Sequence, residues 1–265
     1  MDVLTRHNVR LSGPADGRPM IFAHGFGCDQ GMWRYVVPAF AGTHRVILFD
    51  HVGAGGSDDS AFDPQRHGRL EGYAADIVEI LDALALGPAV LVGHSVSAMI
   101  GLLAAAERPD LIDDLVLVCP SPRYIDDGDY RGGFTQAEID ELLETMDDNY
   151  LGWSAHIAPV IMGVPDRPEL GKELTASFCR MDPAIARHFA RTTFLSDNRA
   201  DLARVRTRAL VIQSRDDVIA PTEVGAYVHA NLAGSRLVVL DSIGHCPNLS
   251  APDAVVGAMR EYLAP

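Results

Sequence analysis

Short runs of consecutive apolar residues alternate along this chain with longer segments whose apolar residues recur every three or four positions. The first pattern predicts buried strands and the second predicts amphipathic helices. The predicted strands are 20–23, 45–50, 90–93, 115–118, 209–212 and 237–240. Because unbroken apolar strands separated by helices need a sheet that is covered on both faces, the predicted fold class is α/β with a mostly parallel sheet.

Three further elements are predicted near the N-terminal half. Residues 9–11 are expected in an edge hairpin closed by the turn 13–17, which contains two glycines and a proline. Apolar residues at helical spacing predict a helix over 32–40. A second helical pattern runs over 70–86, and Gly87-Pro88 ends it before the next strand.

Residues 120–198 break the alternation, because they contain several helical patterns and no convincing strand. Thr135 and Glu138 have the spacing of a capping box, and Asp182-Pro183 is expected to begin the last of these helices. Ligands of open α/β sheets bind at the carboxyl ends of the strands. We therefore expect 120–198 to form a helical lid over a core made of 1–119 and 199–265.

Composition narrows the classes of function. The chain has 265 residues, 48% of them apolar, and a formal net charge of −14. This charge argues against nucleic acid or an anionic membrane as the main partner, since both need a basic patch. The four cysteines form no C-x-x-C pair, and no signal-length or membrane-length apolar run occurs. We expect a soluble, cytoplasmic protein with reduced thiols.

The apolar strand 90–93 leads directly into a serine and then into a small-residue helix. Strand, sharp turn and helix with Ser95 at the apex form a nucleophile elbow, which the pattern G-x-S-x-G usually marks. Here the last position is Ser97, so the pattern is G-x-S-x-S. The alternative is a Gly-His-Ser loop that only turns the chain.

A serine nucleophile needs a base, and the base needs an acid that orients it. After the predicted lid, Asp216 and Asp217 follow the strand 209–212, and His245 lies in a loop after the next strand. The order serine, acid, histidine is that of hydrolases with this elbow. Ser95, one of the two aspartates and His245 are the predicted triad, since adjacent residues of an extended segment face opposite ways.

The reaction also needs two N–H donors for the oxyanion that develops on the substrate. We expect them to be the backbone amides of Val96, after the nucleophile, and of Phe26, between Gly25 and Gly27. The alternative for residues 24–27 is a plain turn at the end of a strand. The glycine-rich segment 50–57 lacks the lysine of a phosphate loop, and no metal-ligand spacing or dinucleotide fingerprint occurs, so no cofactor or metal is predicted.

Several motifs of this chain are similar to those of one known family. They are Gly93-His94-Ser95-Val96-Ser97-Ala98-Met99-Ile100-Gly101, His24-Gly25-Phe26-Gly27, Gly244-His245-Cys246-Pro247, Ser121-Pro122-Arg123-Tyr124, Gly132-Gly133-Phe134, Asn149-Tyr150-Leu151-Gly152-Trp153 and Phe194-Leu195-Ser196-Asp197. Over nearly its whole length the chain resembles the α/β-hydrolase branch of the bacterial stress-regulator hydrolase RsbQ and the plant strigolactone and karrikin receptors.

The resemblance implies a four-helix lid, a deep and mostly apolar pocket, and Asp217 as the acid. The residues it implies as pocket lining are Phe26, His94, Val96, Tyr124, Phe134, Trp153, Phe178 and Phe194. For each aromatic residue the alternative is ordinary packing between lid and core. It also implies hydrolysis of a small apolar ester or lactone by a Ser-His-Asp triad, in the service of signalling through a protein partner.

Two functional hypotheses follow. The first is a serine hydrolase without a cofactor; the second is a ligand-gated signalling protein whose hydrolysis is secondary. A dehalogenase would need Asp at position 95 and a thiol hydrolase would need Cys. Hydrolysis of carbon-carbon bonds and perhydrolysis use the same triad and stay open.

Overall fold

The computed structural model describes residues 2–264, which form one seven-stranded sheet flanked by helices. The strands are β1 (Arg10–Ser12), β2 (Arg18–Ala23), β3 (His44–Leu48), β4 (Ala89–His94), β5 (Ile112–Val118), β6 (Arg208–Asp216) and β7 (Ser235–Ile243). Their order across the sheet is β1-β3-β2-β4-β5-β6-β7, and every neighbouring pair is parallel except β1 with β3. The predicted α/β class and parallel sheet are confirmed.

Helices connect the strands and account for most of the remaining chain. They are α1 (Val3–Arg6), α2 (Leu70–Leu84), α3 (Val96–Glu107), α4 (Gln136–Asp148), α5 (Tyr150–Met162), α6 (Pro168–Phe178), α7 (Pro183–Phe194), α8 (Thr222–Asn231), α9 (Pro247–Ser250) and α10 (Pro252–Leu263). Short 3-10 helices cover Gln30–Trp33, Val37–Ala39, Asp59–Ala61 and Arg199–Arg204. Within residues 2–264, no helix combines the length and the apolar character that crossing a membrane requires.

The predicted hairpin at the N-terminus is wrong in its pairing. Strand β1 lies at the sheet edge, as expected, but it pairs antiparallel with β3 and not with its chain neighbour β2. Strand β2 has parallel neighbours on both sides, β3 and β4, so neither of its edges is free for β1. The outer edge of β3 is not used by another strand, so β1 completes its hydrogen bonds there.

The predicted helix over 32–40 is replaced by the two 3-10 helices Gln30–Trp33 and Val37–Ala39. Pro38 explains this difference, because it lacks the N–H that a continuous α-helix needs at that position and its ring would clash with the preceding turn. The apolar spacing still has its expected effect, since Trp33, Val36 and Phe40 are buried.

Four helices, α4 to α7, lie between β5 and β6, as the resemblance implied. We call residues 120–198 the helical insertion. Its first helix begins at the predicted capping box, in which Thr135 and Glu138 each accept from the other's backbone N–H. Its last helix begins at Asp182, whose carboxylate accepts from the N–H groups of Ala184 and Ile185. Local capping signals therefore determine both ends of the insertion's helical run.

Candidate active site

Ser95 occupies the sharp turn between β4 and α3. Its backbone angles, φ 57° and ψ −124°, lie in a region that a residue with a side chain rarely adopts. Gly93 makes the turn possible, since a Cβ there would lie 2.3 Å from the carbonyl oxygen of Ser97. The turn places the Ser95 side chain at the amino end of α3, where the helix dipole favours negative charge.

The structure brings Ser95, His245 and Asp217 into one hydrogen-bonded chain. His245 Nε2 lies 2.7 Å from Ser95 Oγ, and His245 Nδ1 lies 2.7 Å from Asp217 Oδ2. All three side chains are buried. Since an ionised carboxylate only accepts, Nδ1 carries the proton and Nε2 is free to accept the serine proton. This is the arrangement of a nucleophile, a general base and an orienting acid.

Of the two adjacent aspartates, Asp217 faces His245 and Asp216 does not. Burial raises the pKa of Asp217, but the charge and hydrogen bond of His245 and the N–H groups of Ile219 and Ala220 outweigh it, so the pKa is lowered overall. Asp216 is exposed, with the guanidinium of Arg215 3.4 Å from its carboxylate. Asp217 therefore stays ionised at neutral pH and holds the imidazole in one tautomer.

The loop after β2 approaches the serine closely. A Cβ at Gly25 would lie 2.5 Å from His94 Nδ1 and 3.4 Å from Ser95 Cβ, and one at Gly27 would lie 1.7 Å from the ring of Phe178. Within residues 2–264, the backbone N–H of Phe26 has no acceptor, and that of Val96 is in the unpaired first turn of α3. Both amides are thus available as hydrogen-bond donors.

His94, directly before Ser95, supports the loop that carries His245. Its Nε2 donates to the carbonyl oxygen of His245 at 2.7 Å. Burial lowers the pKa of His94 to about 3, so the ring is neutral and its one proton is used in this hydrogen bond. The imidazole of His94 therefore holds the backbone of His245 and lines the cavity at the same time.

A narrow cavity opens above Ser95, with an empty volume of about 420 Å³. The cavity is a slot between the sheet and the helical insertion. Its walls are mostly apolar. They are formed by Phe26, Cys28, His94, Ser95, Tyr124, Ile161, Leu174, Phe178, Thr193, Phe194, Ile219, His245 and Cys246.

Three residues expected in the lining are not on the cavity wall. Trp153 lies one layer behind, with its ring centroid 6.4 Å from that of Phe26 and 5.6 Å from that of Phe178. Phe134 pairs through its backbone with Tyr124 and Asp126, and Val96 packs in the hydrophobic core. The contacts of Trp153 are those of packing between the insertion and the core, and those of Val96 are with the hydrophobic core.

Six lining residues were not predicted from the sequence. Cys28 and Cys246 directly follow Gly27 and His245, so their closeness to the two motifs was a usable signal. Ile161, Leu174, Thr193 and Ile219 carry no such signal. Thr193 is of special interest, because its buried hydroxyl has no hydrogen-bond partner in the described part of the chain.

A third side chain, that of Cys119, lies beside the aspartate and the histidine. The ligand atoms of Cys119, Asp217 and His245 all lie within 4.8 Å of one another, a spacing that would suit a metal ion. Burial raises the pKa of the Cys119 thiol well above its usual value. A protonated thiol is a poor metal ligand, and both other groups are engaged with each other, so the geometry favours the hydrogen-bonded triad.

Comparison with known proteins gives consistent results. Residues 20–258 match the alpha/beta hydrolase family. The chain is 41% identical to a probable esterase of Oryza sativa subsp. japonica, covering 97% of this chain and 95% of that protein. It is 39% identical to the strigolactone esterase D14 of Arabidopsis thaliana, covering 99% and 98%. A solved hydrolase from Oleispira antarctica superimposes with a TM-score of 0.96 at 40% identity, covering 98% and 96%.

Proposed function

The chain belongs to the alpha/beta hydrolase family, and from this premise we propose that it cleaves a small, largely apolar ester or lactone with Ser95, His245 and Asp217. The resemblance seen in the motifs is thereby confirmed at the level of the family, whose members include esterases at about 40% identity. The observation that carries the proposal is the chain of two 2.7 Å hydrogen bonds from Ser95 through His245 to Asp217.

Acylation begins when Ser95 Oγ attacks the substrate carbonyl carbon while His245 Nε2 takes the hydroxyl proton. The carbonyl oxygen becomes an oxyanion, which accepts hydrogen bonds from the amides of Phe26 and Val96. The tetrahedral adduct then collapses, the bond to the alcohol oxygen breaks, and His245 gives its proton to that oxygen. Asp217 stabilises the imidazolium that exists between the two proton transfers.

Deacylation repeats these steps with water as the nucleophile. His245 removes a proton from the water that attacks the acyl carbon, and then returns the proton to Ser95 Oγ as the acid leaves. With a lactone, the alcohol freed in the first stage belongs to the same carbon chain as the acyl group, so this hydrolysis releases a single hydroxy acid. No external cofactor enters this balance of atoms and charge.

The proposal is tested with p-nitrophenyl esters of short acids and with a small lactone. We expect turnover by the natural protein and loss of turnover in Ser95→Ala, whose melting temperature should stay within about 2 °C of the natural value. Ser154→Ala is the matched control, because Ser154 is also buried but lies in α5, where its hydroxyl donates to the carbonyl oxygen of Tyr150. Full activity of the Ser95→Ala protein would contradict the mechanism.

A ligand-gated signalling role is the second candidate, and one contact favours it. The backbone N–H of His245 donates to the carbonyl oxygen of Ile161 in α5 at 2.8 Å. Gly163 and Gly244 pack so closely there that a Cβ on Gly244 would lie 2.0 Å from the Met162 carbonyl oxygen. Movement of the helical insertion would therefore shift the backbone of His245. Relatives at 40% identity include the karrikin insensitive 2 receptor CA of Petunia hybrida.

In this second role, the helical insertion acts as a lid, and a protein partner binds one of its conformations. Hydrogen exchange measured before and after acylation of Ser95 tests the idea: amides of α4 to α7 change their exchange rates while those of β4 and β5 do not. A purified partner candidate would bind only one of the two states. Unchanged exchange throughout 120–198 would remove the signalling role and leave the hydrolase intact.

We further propose a division of the chain into two regions and a cellular location. We assign residues 1–119 and 199–265 to the catalytic core and 120–198 to the lid. We also propose a cytoplasmic location, which the four free cysteines support because thiols stay reduced there.

A further inference from the structure

Ser97 stands where the elbow pattern usually has glycine, and its hydroxyl is fully used. Its Oγ donates to the carbonyl oxygen of His24 at 2.5 Å, and it lies 2.7 Å from Nε2 of His51. Ser97, His24 and His51 are all completely buried. Smallness alone does not explain Ser97, because a residue tolerated only for its size would not have two short polar contacts.

The donors in this cluster can be assigned from the contacts. The Ser97 hydroxyl has one proton, which it donates to His24, so His51 Nε2 must donate to Ser97 Oγ. The backbone N–H of His51 donates to His24 Nε2 at 3.0 Å. The proton of the His24 ring is therefore on Nδ1, where it donates to the Gly25 carbonyl at 2.9 Å.

Both imidazoles are neutral under ordinary conditions. Burial lowers the pKa of His24 below its usual value and that of His51 well below it. Each ring thus has a single tautomer, set by its neighbours. The cluster is a fixed set of hydrogen bonds that joins three segments: the first turn of α3, the loop after β2 and the turn after β3.

The carbonyl oxygen of His24, which accepts from Ser97, lies two residues before the amide of Phe26, which is proposed to hold the oxyanion. Gly25, between them, approaches the nucleophile so closely that an added Cβ would lie 3.4 Å from Ser95 Cβ. The position of the Phe26 amide relative to Ser95 therefore depends on how the His24–Gly25 peptide is held. Ser97, two residues after Ser95, provides that hold directly from the elbow helix.

We propose that Ser97 is a positioning residue for the oxyanion hole, with His51 as the donor that orients its hydroxyl. This inference rests on the proposed function, because it assigns a task that exists only if Ser95 forms a tetrahedral adduct. Loss of the Ser97 hydroxyl leaves the substrate cavity intact and lets the Phe26 amide move away from the oxyanion. The binding of the transition state falls, while the binding of the substrate does not.

The test compares Ser97→Ala, His51→Leu and His51→Gln with the natural protein and with Ser154→Ala. Three quantities are measured: kcat and KM for a p-nitrophenyl ester, the inhibition constant of an alkyl boronic acid, and the dissociation constant of the matching unreactive alkyl amide. The boronic acid forms a tetrahedral adduct on serine that uses the oxyanion hole. The amide reports the ground state only.

For Ser97→Ala we expect kcat to fall and the boronic acid inhibition constant to rise by the same factor, on the order of tenfold to a hundredfold, because one oxyanion donor is misplaced. KM and the amide dissociation constant stay within about twofold, because the variant loses an interaction that is made only in the transition state. His51→Leu shows the same pattern. His51→Gln restores most of the activity, since the glutamine Nε2 can donate at a similar reach. Ser154→Ala changes none of these quantities.

The outcomes separate the two proposals. An inactive natural protein would contradict the proposed function. An active natural protein whose Ser97→Ala variant keeps its kcat, or loses boronic acid and amide binding equally, would overturn the positioning role. If Ser97→Ala does not fold, the contrast between His51→Leu and His51→Gln decides in the same way, and equal activities of those two variants would contradict the inference.

Discussion

The catalytic loops and the helical insertion are held in place by different kinds of interaction. Ser95, His245 and Asp217 are joined by hydrogen bonds of 2.7 Å between buried groups. The insertion contacts the core through aromatic rings, such as Phe26 with Phe178 at 5.5 Å and Tyr73 with Phe189 at 4.3 Å between centroids, and through a few hydrogen bonds such as that from the backbone N–H of His245 to Ile161. Hydrogen bonds are directional, whereas apolar contacts permit sliding at little cost.

The two regions therefore serve different properties of the protein. Chemistry needs reacting atoms placed to within a fraction of an ångström, and the hydrogen bonds of the core supply that placement. Selectivity and movement need cavity walls that can adapt, and the apolar contacts of the insertion permit this.

The largest effect is expected from Asp217→Asn. The asparagine keeps the shape but favours the wrong tautomer of His245, so kcat should fall by about 10⁴-fold while the protein stays folded. Asp216→Asn is the matched control, because Asp216 is exposed and does not contact His245. Ester hydrolysis by both variants is the measurement. Equal losses in the two variants would contradict the assignment of the acid.

A smaller effect, on stability and not on chemistry, is expected from Asp114→Asn near the start of β5. The buried carboxylate of Asp114 accepts from Tyr262 and Arg208 at 2.8 Å and from Arg18. Removing its charge should lower the free energy of unfolding by about 2 kcal/mol, since both arginines are partly exposed. Turnover should be unchanged, because these residues lie at the opposite end of the strands from Ser95.

The same variant has a defined pH dependence. Burial raises the pKa of Asp114, but the hydrogen bonds from Arg18, Tyr262 and Arg208 lower it overall. The contribution of the Asp114 carboxylate to the free energy of unfolding is therefore complete above its pKa in the unfolded state, about 3.9. That contribution is lost as the pH falls through the lower pKa of the folded state. Urea unfolding at pH 7 should give a lower free energy of unfolding for Asp114→Asn than for the natural protein. This difference in free energy should shrink below about pH 4. Asp113→Asn, at an exposed neighbour that also pairs with Arg18, should show a much smaller difference in stability, because that ion pair is solvent-exposed.

In the insertion, Thr193→Val should change selectivity by about fivefold, because the buried hydroxyl that it removes has no hydrogen-bond partner among residues 2–264 and is free to bind a polar atom of a substrate. We expect slower hydrolysis of an ester whose acyl chain contains an ether oxygen, and unchanged hydrolysis of its all-carbon analogue. Thr192→Val is the control, since Thr192 lies outside the cavity and its single hydroxyl proton already has two acceptors within reach, the carbonyl oxygens of His67 and His188. The ratio of the two kcat/KM values is the measurement. An unchanged ratio in Thr193→Val would show that the hydroxyl does not contact substrate.

The smallest effect is expected at the rim between the two regions. Arg180 in the insertion forms an ion pair of 2.6 Å with Asp29 in the core, and Arg180 is more than half exposed. Arg180→Ala should cost at most about 0.5 kcal/mol of stability, and less in high salt, because water screens this pair. Chemical unfolding at two ionic strengths checks this. A large loss would mean that charge, and not apolar contact, holds the insertion in place.

Much of the fold and of the site follows from local sequence patterns. The strands, the elbow at Ser95 and the capping residues Thr135 and Asp182 were predictable because each depends on neighbours in the chain. The partner of β1 was not, because strand pairing depends on which edges other strands leave free. The residues alone also left Asp216 and Asp217 as alternatives, and only the resemblance and the fold distinguish them.

The cavity wall was the least predictable part. Trp153 and Phe178 are both aromatic residues of the insertion, yet only Phe178 reaches the cavity. Which ring faces the cavity depends on how α5 and α6 rotate against the core, and no local pattern fixes that rotation. The hydrogen bonds of Ser97 were unpredictable for a similar reason, since their partners His24 and His51 come from two other loops.

Mapping of the acyl-enzyme shows whether Ser95 is the nucleophile. The protein is mixed with a p-nitrophenyl ester, quenched in acid within the first turnover, digested, and the acylated peptide is sequenced by mass spectrometry. We expect one acyl group, on Ser95, that is absent in Ser95→Ala and accumulates in His245→Ala only far more slowly. Steady turnover with the acyl group on another residue, or with no acyl group at any time, would contradict it.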